Sequence, residues 1–245
     1  MNKNLGNGFS VVMLVYNEAC IIEKIVRDFY EKVIKKMRNA KFIIAEDGST
    51  DGTKEILNEL KNKIPFTLVS SKERKGYTRA FKDALHMVDT ELVFFSDSDG
   101  QHEPADMFKL LKETDECDIV SGYKLPRRDP IHRVIISKAY NSLIYLLFGL
   151  KMKDINSGFK LIKKKVIDDI LDEVVEFKYC VMSEFVLKAY LAGYKIKEVP
   201  VCHYPRRSGQ TAIFTTRKLP SIIIGLIKSL LKIRFYRLKR EKIWK

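Results

Sequence analysis

Soft metal ligands are scarce here: 245 residues hold four cysteines and four histidines. Cys20, Cys117, Cys180 and Cys202 are scattered, and no C-x-x-C occurs. This argues against a zinc site or a disulfide framework, fits a reducing compartment, and leaves the thiols to be read as small core hydrophobes. Long uncharged apolar runs are also missing. None approaches the roughly 20 residues that span a bilayer. The first apolar run, Phe9–Tyr16, stops at Asn17 and Glu18 and reads as a buried strand rather than a leader peptide. No internal repeat, low-complexity stretch or linker interrupts the chain. No nucleic-acid motif accompanies its basic residues, which alternate with aliphatics rather than aromatics.

What is present suffices for one sizeable core, since 46% of the residues are hydrophobic. The net charge is +14, unevenly spread. From Val201 to Lys245 twelve Lys and Arg face a single acid, Glu241. A near-neutral body with a basic end points to an anionic surface as partner. The expected division is a domain over 1–215 and a basic amphipathic tail over 216–245.

Hydrophobic periodicity alternates along the first half. Strand-like runs at Phe9–Tyr16, Phe42–Ala45, Phe66–Val69, Leu92–Phe95 and Ile119–Val120 are separated by helical spacings at Ala19–Met37, Asp51–Leu60, Tyr77–Val88 and around Met107–Leu111. That order predicts an α/β fold with a mostly parallel sheet covered on both faces. Further on, helices are expected over Ile131–Leu150, Met182–Leu191 (closed by Gly193) and from Thr216 to the end. Strands are expected at Phe159–Ile162 and at Ile196–Val199, the latter ending at Pro200.

Ligands of such sheets bind at the carboxyl ends of the strands. Three acidic clusters sit there: Asn17 with Glu18, Glu46 with Asp47, and Asp97 with Asp99. In Ser96-Asp97-Ser98-Asp99-Gly100-Gln101, two carboxylates two residues apart can share one cation, and Gln101 adds a neutral oxygen. Hard oxygen donors suit Mg²⁺ or Mn²⁺. In Glu46–Thr53, Gly48 and Gly52 permit tight turns and Thr50 or Asp51 can cap the next helix. Capping leaves Glu46 and Asp47 unexplained. Acids there can accept hydrogen bonds from a ribose hydroxyl or a base N–H.

These segments, in this order, resemble the family-2 glycosyltransferases of the GT-A fold: Val11–Glu18, Glu46–Thr53, Arg74-Lys75-Gly76 with Ala80, and Asp97–Gln101 with His102 and Pro104. The resemblance implies an inverting transfer from a UDP- or GDP-linked sugar. It places the nucleotide at Tyr16, Glu18, Glu46, Asp47, Lys75 and Asp97, and the metal and diphosphate at Asp97, Asp99 and Gln101. The second half is similar to the polyprenyl-phosphate (dolichol-phosphate) branch, through Lys124, Arg133 and Ser137, then Asp154–Lys160, then Arg206–Thr211. By that likeness Lys124, Arg133, Ser137, Ser157 and Arg206 hold phosphate, and Asp99, Arg133 and Arg206 act in catalysis. Arg133 and Ser137 are one helical turn apart.

Departures exist. Leu14 replaces a usual Pro, Glu46 an Asp, Lys124 an Arg, and Gln210-Thr211 a Glu-Ser. No Q-x-x-R-W occurs, which disfavours a processive polysaccharide synthase. A phosphate acceptor is already anionic and needs no base. A sugar hydroxyl of a lipid-linked glycan, the alternative acceptor, would need one, with Glu184 or Asp154 as candidates. The end of the chain mixes Ile222, Leu226, Leu230 and Ile233 with lysines and arginines. Such a helix lies at a membrane surface, and peripheral attachment to the cytoplasmic face is the expectation.

Overall fold

A computed structural model describes residues 8–175, 177, 180–205 and 219–243, with the side chains of the last helix described for 222–235. Seven strands form one sheet: β1 (Phe9–Val15), β2 (Ala40–Glu46), β3 (Thr67–Ser70), β4 (Leu92–Asp97), β5 (Ile119–Lys124), β6 (Phe159–Lys163) and β7 (Ile196–Val201). Their order is β3-β2-β1-β4-β6-β5-β7. Every pairing is parallel except those of β6, which runs antiparallel to both β4 and β5.

All seven residues of β1 are buried, as a strand covered on both faces requires. Alternation sends its side chains two ways. Val12 and Leu14 join Ile43, Val93 and Phe95 beneath α3 (Tyr77–His86), α5 (Ile131–Phe148), α6 (Lys164–Ile170) and α7 (Val181–Leu191). Val11, Met13 and Val15 join Ile44 and Phe94 beneath α1 (Ile22–Lys32), α2 (Thr53–Lys61) and α4 (Met107–Leu111). A last helix, α8 (Leu219–Ile243), buries Leu230 and Ile233 in the first of these layers.

The structure corrects several sequence expectations. The first helix is shorter than Ala19–Met37: α1 ends at Lys32 and a 3₁₀ turn, Ile34–Lys36, follows. Periodicity carries no information on strand direction, so the reversal of β6 was not anticipated, nor was the short α6 behind it. β7 continues through Pro200 to Val201. As the edge strand it lacks a neighbour on one side, where a missing N–H costs nothing. Thr216, the expected start of the last helix, lies outside the described residues. Among those residues no helix is long and apolar enough to cross a membrane.

Candidate active site

The strand ends align. Leu14 of β1 is in register with both Ala45 of β2 and Asp97 of β4, and Val15 with Glu46. Asp97 is gripped from two sides. The Tyr77 hydroxyl, at the start of α3, donates to its Oδ1 at 2.8 Å. On the other side lies Gly158, where a Cβ would stand 1.8 Å from Oδ2. Only glycine fits there, and the reversal of β6 is what brings it beside the end of β4, with Asp97 N donating to Gly158 O at 3.2 Å. Burial, followed by the neighbouring Asp99 carboxylate, pushes the Asp97 carboxyl up to about 6. The same burial, then Asp97 itself, drives the Tyr77 phenol well above its ordinary range. Below them Lys160 of β6 is fully buried and donates to Ser121 Oγ at 2.7 Å. Desolvation lowers it to about 8, against the attraction of Asp154, Glu198 and Asp97.

Beyond Asp97 the chain turns. Asp99 Oδ1 accepts from Gln101 N at 3.1 Å. Gln101 is tied to the far side of the sheet: Tyr204 N donates to its carbonyl at 2.7 Å, and its Nε2 donates to Tyr204 O at 3.4 Å. His102 and His203 form a bridge beside this tie, their ring centroids 5.9 Å apart. Burial, then Lys124, lowers both imidazoles, to about 3 and about 4 respectively, so both are neutral at physiological pH. Among the described residues no three His, Cys, Asp or Glu side chains gather as a metal cluster. The oxygen donors here are two carboxylates and an amide.

A second cluster lies at the ends of β1 and β2. Asn17 adopts a positive φ of 53°. Its N–H donates to Ser49 Oγ at 3.0 Å, while Thr50 N donates back to its Oδ1 at 2.9 Å. Glu18 N donates to Thr53 Oγ1 at 2.9 Å. Gly52, not Thr50 or Asp51, occupies the N-cap of α2, while Asp51 just before it accepts from Thr53 N at 3.1 Å. Glu46 and Asp47, expected to meet the nucleotide, organise the loops around the strand ends. Glu46 accepts from Ser49 N and from the Ser70 hydroxyl. Asp47 accepts from Lys75 N at 2.8 Å and Gly76 N at 3.0 Å. Gly48 makes this possible: with φ +68°, a Cβ on it would lie 2.5 Å from the backbone of Glu73. The Lys75 ammonium points to Asp83 at 2.8 Å rather than to the strand ends. Tyr16 carries the Arg74 guanidinium over its ring at 4.0 Å. One short segment therefore joins the two clusters, from Asp47 through Lys75 and Gly76 to Tyr77 and Asp97.

Seven of the sequence-derived residues line one cavity of about 500 Å³: Asp97, Asp99, Gln101, Lys124, Arg133, Ser137 and Ser157. Its far wall is apolar, made by Ile136 and Leu143 of α5 with Ile222, Leu226 and Leu230 of α8. Tyr16, Glu18, Glu46, Asp47 and Lys75 do not line it. Arg206, with Arg207, Gln210 and Thr211, lies outside the described residues. Asp154 lines the cavity, but Glu184 does not. Glu184 is fully buried, accepts from Val175 N at 2.9 Å and Phe177 N at 2.6 Å, and pairs with Lys188 at 2.9 Å. That engagement removes it as a general base. The sequence reading missed Tyr77, Arg127 and Asp129. Their folded contacts reveal them, and each looks like an ordinary helix or loop residue in isolation.

The strand order, with its one reversed strand and its acids at the carboxyl edge, is the GT-A architecture. Glucosyl-3-phosphoglycerate synthase from Mycobacterium tuberculosis, solved with Mn²⁺, UDP and phosphoglyceric acid, superposes with a TM-score of 0.70 over 92% of this chain and 79% of that one, at 17% identity. The mannosyltransferase PcManGT from Pyrobaculum calidifontis, solved with GDP-Man and Mn²⁺, gives 0.64 over 95% of this chain and 64% of that one, at 21% identity. Polyprenol monophosphomannose synthase from Mycolicibacterium smegmatis is 28% identical over 180 residues, 68% of either chain. The family described as Glycosyl transferase family 2 matches residues 10–171. The chain belongs to that family and is a glycosyltransferase.

Proposed function

We propose that the protein transfers a hexose, with inversion, from a nucleotide sugar to a polyprenyl phosphate at a membrane surface. The observation that carries this reading is the composition of the cavity at the strand ends. It is acidic at the strand ends, cationic along Lys124, Arg127 and Arg133, and apolar between α5 and α8. A sugar diphosphate, a phosphate headgroup and an isoprenoid chain make the same sequence of demands. The M. smegmatis relative, named for a polyprenol phosphate product, supports the lipid acceptor. UDP and GDP-Man in the two solved relatives leave both donor nucleotides in play.

Asp97, Asp99 and Gln101 fit a Mg²⁺ or Mn²⁺ ion. All three line the cavity, and Gln101 donates through Nε2 to Tyr204, which leaves its carbonyl oxygen for a cation. Such an ion supplies charge to the diphosphate as the sugar departs. The chain's own work is positioning. Tyr77 and Gly158 fix the Asp97 carboxylate. Lys124 and Arg133 offset the repulsion between two anionic reactants brought into line, with Ser137 and Ser157 beside them. The phosphate oxygen attacks as an anion and needs no base, which agrees with Glu184 being engaged elsewhere. Helices α5 and α8 flank the apolar end and leave Ile131, Ile135, Leu146, Ile224 and Phe235 exposed. Lys228, Lys232 and Arg234 lie among them on α8. This pattern suits an anionic bilayer surface.

The test pairs donors with acceptors. Incubation with UDP- or GDP-sugars, Mn²⁺ or Mg²⁺ and farnesyl phosphate is expected to give a sugar-phosphate lipid. Asp99→Ala is expected to lower that transfer by at least about a hundredfold with an unchanged circular dichroism spectrum. Product on a glycan hydroxyl, and none on the phosphate, overturns the acceptor reading. Unchanged turnover in Asp99→Ala overturns the metal reading.

A further inference from the structure

Between β5 and α5 the chain makes a short loop, 125–130, in which Arg127 and Asp129 turn toward the cavity while Arg128 stays exposed. Arg127 Nε donates to Asp129 Oδ2 at 2.8 Å, and its Nη1 donates to Ser137 Oγ at 2.9 Å. Lys124 Nζ approaches the same Asp129 oxygen at 3.5 Å. The Asp129 side chain is only 5% exposed. Burial opposes its ionisation, yet Lys124 and Arg127 together hold its carboxyl below the usual range. Lys124, Arg127, Asp129 and Ser137 all line the cavity described above.

An anion of the chain itself therefore sits among groups that suit an incoming phosphate. Lys124 offers only a point charge. Arg127 offers a planar fork whose separate nitrogens already serve two oxygen partners, the geometry that grips two oxygens of one phosphate. A phosphomonoester carries about −1.5 to −2 charges near neutral pH against one on a carboxylate. It can displace a tethered carboxylate that weaker anions cannot.

We propose that Arg127 is a phosphate-binding residue of this cavity, and that Asp129 is its built-in placeholder, exchanged for a phosphomonoester when the acceptor enters. The inference rests on the acceptor reading for the role of the phosphate, and adds a cation and a gate to it. One anion replaces another, so Lys124 and Arg127 are never buried without a counter-charge. The placeholder also keeps them ordered in the absence of acceptor.

Calorimetric titration of the full chain with inorganic phosphate and with farnesyl phosphate tests this. Asp129→Asn is expected to bind both about tenfold more tightly than wild type. Arg127→Ala is expected to bind both about tenfold more weakly, with Arg127→Lys recovering part of the loss. Tighter binding cannot arise from misfolding, so the Asp129→Asn arm stands regardless of any stability change. Unchanged or weaker binding by Asp129→Asn makes Asp129 a mere brace for Arg127 and overturns the proposal. If inorganic phosphate binds more tightly while farnesyl phosphate binds neither protein, the exchange holds and the lipid acceptor falls.

Discussion

Lys160 is a fully buried amine that donates to Ser121, on the adjacent strand. Its burial has a thermodynamic signature. In the folded protein it titrates at about 8, below the ordinary lysine value of 10.5. Between those values the unfolded chain binds the proton and the folded chain does not. Folding is therefore favoured as pH rises through that window, and the cost is fully present below it. Wild type is expected to gain on the order of 2–3 kcal/mol relative to Lys160→Met between pH 8 and pH 10.5, measured by denaturant titration of both proteins. A difference that stays flat over that range shows that the amine is not depressed. In the sequence Lys160 is one lysine in a short strand, and nothing marks it as buried. Asp97, Asp99 and Gln101 are different: their spacing after an apolar run announced them. Tyr77 and Asp129 sit between these cases. Their chemistry is ordinary: the partner of Tyr77 lies 20 residues away along the chain, and those of Asp129 lie 2 and 5 away.

At the scale of elements, the parallel strands were legible because both-face burial writes continuous apolar runs such as Val11–Val15. Helix boundaries were less so. The long periodic run from Ala19 breaks at Val33, whose φ of −122° and ψ of −63° leave the helical basin. Helix α7 misled in another way. Eight of its eleven residues are buried, Glu184 included, so a residue that reads as a surface acid is an internal one. Glu184 ties α7 to the segment at Val175 and Phe177. Removing a buried, paired carboxylate costs about 3–5 kcal/mol. Glu184→Ala is thus expected to lower the unfolding midpoint by roughly 6–20 °C, while the pH profile of transfer keeps its shape. A thousandfold loss of turnover at an unchanged midpoint would restore Glu184 as a base.

For the whole molecule, the distribution of charge and apolar surface bears on the proposed membrane attachment. Truncating α8 is a poor test, because Leu230 and Ile233 belong to the core. Point changes at the exposed positions are cleaner. Ile224→Glu with Phe235→Glu is expected to reduce flotation with anionic liposomes severalfold, with Leu146→Glu adding to the loss. Equal flotation of the variants removes α5 and α8 as the docking face. The basic bias of the chain's end was plain from composition. That α8 also closes the apolar end of the cavity was not, because packing partners across 80 residues leave no trace in local pattern.

The reversed strand has one more consequence. β6 enters the sheet from the opposite end, so the loop before it, Asp154–Gly158, arrives at the rim that the parallel strands point toward. Strands β1 to β3 lie on one flank of β4, and everything that shapes the far compartment lies on the other. Within the sheet the two flanks meet along the β4–β6 seam, and above it Phe81 of α3 packs on Phe185 of α7. One reversed strand thus sets the glycine that hems in Asp97 and the serine that lines the cavity on the same short stretch of chain, so a change in that loop is felt at both.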